Sequence, residues 1–407
     1  MAQTKRVADV QEESDDVQED SSDVQEDSSD VQKKRKKNPR VERVKQAIRE
    51  PPRRGNQEYF CYTLYIGDYR QLLEDVGKDE DLNGCFLDKL RYDYTADRRG
   101  KNNKREKQFV IRTPTALREI LNDEIDTVIK VRLGDLEDGS VKCESPLCTG
   151  PTCTDGHTKL VAKKLRGYRC ASVRATRAPR RYRRDEKSPD LSYGYFDGRP
   201  SPDGKGRVPG LVVELGWSEK SSELKKKCEW YIERSNGWIR TVIGVDLHDL
   251  YQCYPVPKTR PTGPSDAEWE EAMRKDIEKM TVAVREKKAC GKIYVWRAEI
   301  DSRTDRAKAV LDEDATRIFR DEEGNPADEV AIQLSFEDFI SARHMEDIGA
   351  FHSIDFTVTS EQLCDLFDNV ALPEQILEDR YREEGDEEEK QEQRQKKRRR
   401  AEKAGLV

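Results

Sequence analysis

Two acidic residues stand where acids are costly. Glu214 lies in Leu211-Val-Val-Glu214-Leu-Gly-Trp217, a run otherwise apolar enough for a buried strand. An ionised carboxylate there needs a cation, a hydrogen bond or a proton to offset its burial. Asp190, in Ser188-Pro-Asp190, begins a stretch that would pair beside that strand. A hairpin-like arrangement brings both acids to one end of a sheet. Two such carboxylates with a lysine nearby suit Mg²⁺ or Mn²⁺ and phosphodiester hydrolysis. The metal would lower the pKa of a bound water and neutralise the scissile phosphate, and the ammonium would stabilise the developing charge. A purely architectural account also fits: Glu214 paired at a strand end with an arginine from Arg177 to Arg184, and Asp190 forming a turn after Pro189.

Two further groups could bind something. Cys143, Cys148, Cys153 and His157 form C-x4-C-x4-C-x3-H in a Gly/Pro/Thr-rich loop, and thiolates with one imidazole could close a tetrahedral structural Zn²⁺ site. An exposed cysteine-rich insertion in a reducing compartment explains the same residues without zinc. Arg177, Arg180, Arg181, Arg183 and Arg184, with the loop Arg98-Arg-Gly-Lys-Asn-Asn-Lys-Arg-Glu-Lys107, supply cations for the phosphate backbone of DNA. Tyr182 alone is too little aromatic content to argue for base stacking.

The elements that must position these groups follow from periodicity. Gln108 to Arg112 reads as a strand. Thr113 and Pro114 then offer an N-cap and first helical residue, with Leu117, Leu121, Ile125 and Val128 at helical spacing. Tyr168 to Ala175 alternates weakly. Leu211 to Val213 predicts a strand buried on both faces, and Ser218 caps a helix with the apolar stripe Leu224, Cys228, Tyr231 and Ile232. Asn236-Gly237 ends that helix, and Trp238 to Leu247 is a second buried strand, so the three form a parallel βαβ unit. Ile293 to Ile300 alternates as a later strand. A polar insertion spans Pro255 to Lys287, with a helix near Glu268 to Glu286, and Arg320 to Phe339 predicts a turn, a strand and a short helix.

The 407 residues carry a net charge of −7, with 39% charged and only 34% hydrophobic residues, so part of the chain lies outside a core. Asp9 to Gln32 repeats a seven-residue unit with one valine each, too few apolar positions for a coiled coil; it reads as an acidic disordered tract. Lys33 to Lys37 and Lys396 to Arg400 are basic clusters that fit nuclear import or nucleic-acid contact, and also plain solvated charge. Ten scattered cysteines point to a reducing cytosol or nucleus, and nothing in the sequence reads as a membrane span or signal peptide. The expected division is 1–40 disordered, 41–107 an N-terminal extension, 108–345 an α/β domain with insertions near 135–160 and 255–287, and 346–407 a charged helical tail.

Five pieces in order resemble a group of uncharacterised fungal proteins related to the PD-(D/E)XK, or restriction-endonuclease-like, nuclease superfamily. They are Phe109-Val-Ile-Arg-Thr-Pro114 with its helix, Ser188-Pro-Asp190, Pro209-Gly-Leu-Val-Val-Glu-Leu-Gly-Trp-Ser218, Val242-Ile-Gly-Val-Asp246, and the closing Phe319-Arg-Asp-Glu-Glu-Gly-Asn-Pro326 with Leu334-Ser-Phe-Glu-Asp-Phe339. The resemblance implies a mixed sheet flanked by helices and a metal-dependent DNA endonuclease. Asp190 and Glu214 would be metal-binding acids, the Leu215 carbonyl a further ligand, and Glu119 an assisting acid, with Glu124 the other acid of its helix to weigh. The lysine expected two residues after Glu214 is Gly216; Lys220 is the first substitute, then Lys225 to Lys227. The same departure is compatible with a catalytically inactive scaffold that binds nucleic acid or protein.

Overall fold

The computed structural model describes residues 38–50, 59–86, 91–99, 105–112, 115–138, 140, 156–168, 172–174, 185–196, 209–254, 266–286, 288–341, 344–345, 348, 355–379 and 394–396. In chain order the elements begin with α1 (Pro39–Arg49), β1 (Tyr59–Tyr62), α2 (Ile66–Val76), α3 (Glu80–Gly84), β2 (Arg91–Arg99) and β3 (Arg105–Arg112). Then come α4 (Ala116–Asp138), α5 (Gly156–Ala162), β4 (Leu165–Gly167), β5 (Val173–Arg174), β6 (Glu186–Lys187), β7 (Leu191–Tyr195), β8 (Leu211–Gly216), α6 (Ser221–Ser235), β9 (Thr241–Asp246) and α7 (His248–Cys253). The rest are α8 (Asp266–Arg285), β10 (Gly291–Asp301), β11 (Arg306–Leu311), β12 (Arg317–Arg320), β13 (Val330–Ser335), β14 (Asp355–Thr359) and a helix at Ser360–Leu366. The protein is a mixed α/β structure, and no helix among the described residues is long and apolar enough to cross a membrane.

The central sheet has the order β11-β10-β9-β8-β7-β4, with β12 sharing the outer edge of β10 with β11. All its pairs are antiparallel except β8 with β9, which run parallel from Leu211↔Thr241 to Gly216↔Asp246. That one parallel pair is the βαβ unit expected from the sequence, because α6 returns the chain over the sheet. Residue parity on β8 then sorts its side chains. Leu211, Val213 and Leu215 join the core built with Leu117, Leu121 and Ile125 of α4, while Val212 joins Leu224, Cys228 and Tyr231 of α6. Glu214 shares the parity of Val212 and therefore looks toward α6.

A second sheet, β1-β3-β2-β6-β5, is wholly antiparallel. Its apolar side packs on the first two helices through Val41, Val44, Tyr69 and Leu72, with Tyr69 stacked on Tyr94 at 3.8 Å between ring centres. β6 leads directly to Asp190 and β7, so this N-terminal layer is tied to the central sheet where the two acids lie. The third sheet is the hairpin-like pair β13–β14.

Several boundaries differ from expectation. Thr113 and Pro114 lie outside the described residues; α4 begins at Ala116, and the Thr115 hydroxyl accepts from the Arg118 N–H at 3.4 Å. Distant side chains accept the first free N–H groups of α4: Glu378 from Ala116 at 2.7 Å and Gln375 from Leu117 at 3.1 Å. Sequence spacing cannot reveal a cap supplied from the other end of the chain. α6 begins at Ser221 rather than after Ser218, with Lys220 in the cap position and no side-chain cap bond, and it ends at Asn236 in the left-handed conformation (φ 54°). Of the weakly alternating Tyr168 to Ala175, Val173–Arg174 is a strand. The packed structure continues past residue 345: β14 pairs with β13, and Phe356, Phe367, Leu372 and Ile376 are buried.

Candidate functional site

The two acids do meet. β7 and β8 pair antiparallel from Leu191↔Val213, which sets Asp190 beside Leu215, and the Asp190 Oδ2 accepts the Leu215 N–H at 2.7 Å. Of the Leu215 backbone, then, the amide serves the cluster by holding an acid. Glu214, on the same stretch of β8, is fully buried at 0% exposure, and Asp190 is at 1%.

The lysine comes from α6, and it is Lys227. Its Nζ lies 2.5 Å from the Glu214 Oε2 and 3.8 Å from Glu219, and the residue is only 4% exposed. Lys220, expected in this role, is instead exposed at the helix mouth. The reason is the later helix start: Lys227 lies two turns in and shares the inward side with Leu224 and Tyr231, whereas Lys220 precedes the first turn. Lys225 sits over the Tyr294 ring at 4.2 Å, and Lys226 pairs with Glu223 at 2.7 Å. Gly216 also has a physical explanation. A Cβ there would stand 2.9 Å from the Leu224 side chain, so β8 and α6 approach too closely for a lysine at that position.

Arginines complete the cluster, and the sequence did not single them out. Arg112, the last residue of β3, is 1% exposed. Its Nη1 is 3.2 Å from Glu214 and 3.5 Å from Asp190; its Nη2 donates to the Ser188 carbonyl and lies 3.6 Å from Asp93. Arg91 of β2 approaches Glu119 at 2.5 Å and Asp190 at 3.5 Å. Lys187 of β6 is 3.3 Å from Asp93. The Tyr231 hydroxyl donates to the Glu214 Oε1 at 2.6 Å, a role hidden in what the sequence presents as an apolar stripe. Glu119 thus reaches the cluster only through Arg91, half-exposed, and Glu124 makes no contact that links it to the two acids among the described residues.

The electrostatics follow from burial among opposite charges. Burial would raise the Asp190 carboxyl, but Arg118, Arg91, Arg112 and Lys227 outweigh it and hold it well below the usual range. Asp93 is likewise brought down to about 2: burial opposes ionisation, and Lys187, Arg112 and Lys227 overcome it. Glu214 behaves differently: burial pushes it up, against the pull of Lys227 and Arg112, and Asp190 adds a repulsion. For Lys227, burial and Arg112 disfavour the ammonium, but Glu214, Glu219 and Asp93 raise its pKa.

A divalent ion needs several oxygens free to converge at roughly 2.0–2.6 Å. Here the Glu214 Oε1 is engaged by Tyr231 and the Oε2 by Lys227 and Arg112, and the Asp190 Oδ2 by the Leu215 amide. Only the Asp190 Oδ1 lacks a hydrogen bond, and two guanidinium groups stand 3.5 Å from it. Charges also balance internally: Asp93, Glu119, Asp190, Glu214 and Glu219 face Arg91, Arg112, Arg118, Lys187 and Lys227. These residues, so arranged, do not fit Mg²⁺ or Mn²⁺. Among the described residues no group of three or more His, Cys, Asp or Glu is disposed to hold a metal. Cys143, Cys148, Cys153 and the His157 side chain, and Arg177, Arg180, Arg181, Arg183 and Arg184, lie outside the described residues. No family model, curated protein or solved structure matches the chain.

Proposed function

We propose that this chain is a non-catalytic, nucleic-acid-binding protein built on a restriction-endonuclease-like core. The fold class is supported by the order α4, β7, β8, α6, β9, in which an antiparallel pair passes into one parallel βαβ unit with two acids at the junction. The observation that carries the loss of catalysis is the state of Glu214: 0% exposed, with both oxygens held by Tyr231, Lys227 and Arg112. A carboxylate so occupied activates no water. The fixed charges of the cluster instead fasten the N-terminal sheet to the central one, since Arg91, Asp93 and Arg112 come from the first and Asp190 and Glu214 from the second. The cationic loops at 98–107 and 177–184 would supply the phosphate contacts, and the basic clusters at Lys33 to Lys37 and Lys396 to Arg400 suit nuclear import.

A second reading is favoured by one observation: Asp190, Glu214 and a lysine do converge, as a Mg²⁺-dependent DNA endonuclease requires. Incubation of purified protein with labelled single- and double-stranded DNA in Mg²⁺ or Mn²⁺ separates the two. Salt-sensitive binding with intact DNA supports the proposal. Metal-dependent cleavage that disappears in Glu214→Ala sinks it and establishes the nuclease, and absence of any DNA binding removes the nucleic-acid partner.

A further inference from the structure

The guanidinium of Arg112 has unusual company. Three carboxylates from three strands or their ends, Asp93, Asp190 and Glu214, and the Ser188 carbonyl surround it. An arginine held as a salt-bridge partner usually engages a carboxylate through a two-pronged fork of parallel hydrogen bonds. Arg112 makes no such fork. Its Nε is buried without a hydrogen-bond partner, and the Oδ1 atoms of Asp93 and Asp190 are buried beside it without one either. Oxygens at 3.2, 3.5 and 3.6 Å from one cationic group form a shell around a charge rather than a fork on a carboxylate.

The shell is made wholly of oxygen, from carboxylates and a backbone carbonyl, which is the donor set of a hard cation. Its members are pinned independently of Arg112: Asp190 by the Leu215 amide, Glu214 by Tyr231 and Lys227, and Asp93 by Lys187. The polar arrangement would therefore outlast the arginine. Without Arg112 the cluster loses one positive charge and keeps all its acids.

We propose that Arg112 is the resident cation of an all-oxygen site, and that Asp93, Asp190, Glu214 and the Ser188 carbonyl take a divalent metal when the arginine is removed. The arginine excludes metal from the wild-type chain by occupying its place. This deepens the non-catalytic reading above and rests on it, since it names what fills the position between the acids.

The test uses the full chain and Mn²⁺ alone. Free Mn²⁺ is followed by electron paramagnetic resonance during titration of wild type, Arg112→Ala and the bulkier Arg112→Met, with thermal unfolding recorded with and without the ion. The expected result is one saturable Mn²⁺ per chain and a metal-dependent rise in Tm for Arg112→Ala, neither being seen in wild type. Adding Glu214→Gln should weaken that binding on the order of 10–100-fold. Should Arg112→Ala and Arg112→Met fail to fold in metal-free buffer, recovery of the near-ultraviolet circular dichroism on refolding in Mn²⁺ supports the proposal, and failure to recover overturns it. Folded Arg112 variants that bind no Mn²⁺ overturn it too, as does wild type binding Mn²⁺ as tightly as the variants. Metal-dependent DNA cleavage by wild type would instead strike the functional reading, so the two failures are distinguishable.

Discussion

At the residue scale, Glu214 is held by three partners of different kinds, and their removal should be unequal. Replacing one member of a buried ion pair leaves its partner charged and unmatched, at a cost of about 3–5 kcal/mol. Lys227→Met is therefore expected to lose stability in that range by urea unfolding. Lys227→Met combined with Glu214→Leu should lose less than the two single changes summed, since both charges leave together. If the double variant is as unstable as that sum, the pair is not coupled as its 2.5 Å separation implies. The acids also set a pH dependence. Asp93 lies at about 2, below its ordinary 3.8, and Asp190 is depressed as well, so both favour folding most above pH 4. That stability is lost as pH falls through the folded-state value, on the order of 2 kcal/mol for Asp93 alone between pH 4 and pH 2. Asp93→Asn should flatten this acid limb; an unchanged slope would count against the Lys187 and Arg112 contacts. The two acids were legible in the sequence because a charge in an apolar run stands out. Arg112 was not, because it ends a strand unremarkably and reaches Glu214 across 102 residues.

At the element scale, the closeness of β8 and α6 decides which lysine can serve the acids. Gly216 leaves no room for a side chain beside Leu224, and the helix that crowds it brings Lys227 to the same side of the sheet. Gly216→Ala should therefore cost about 1–3 kcal/mol through overpacking, and Gly216→Lys more. Leu224→Ala in the Gly216→Ala background should restore part of that loss if the contact with Leu224 is its cause; equal instability of the double variant would point elsewhere. The buried strands and the parallel unit were readable from runs of Val, Ile and Leu between turn residues. Helix starts were not, because α4 takes its N-terminal acceptors from Gln375 and Glu378, and α6 starts at Ser221, three residues beyond the serine that looked like a cap.

At the scale of the whole molecule, the core extends beyond the boundary that composition implies. The highly charged stretch after Pro373 reads as solvent-exposed, yet Gln375, Ile376 and Asp379 are buried, and Asp379 accepts from Tyr254 at 2.9 Å. Removing everything after residue 345 would expose the partners of Phe356, Val358, Leu363, Phe367, Leu372 and Ile376, each contributing about 1.5–3 kcal/mol when buried. That exceeds the ordinary stability of a folded domain, so a chain ending at 345 should show no cooperative thermal transition, whereas one ending at 380 should melt near the full chain. A cooperative transition in the shorter chain would contradict the packing. The charge cluster belongs to this scale as well, because it joins two sheets with separate apolar cores through the ends of β2, β3, β7 and β8.

The central claim is that Arg112 stands between Asp190 and Glu214 in place of a metal, and the most direct test is a crystal of the full chain grown in millimolar Mn²⁺, with anomalous diffraction measured at the manganese edge. The account predicts the Arg112 guanidinium within hydrogen-bonding reach of Glu214, with no anomalous peak between the two acids. A manganese peak coordinated by Asp190 and Glu214, with Arg112 displaced, would contradict it and return the cluster to the nuclease reading.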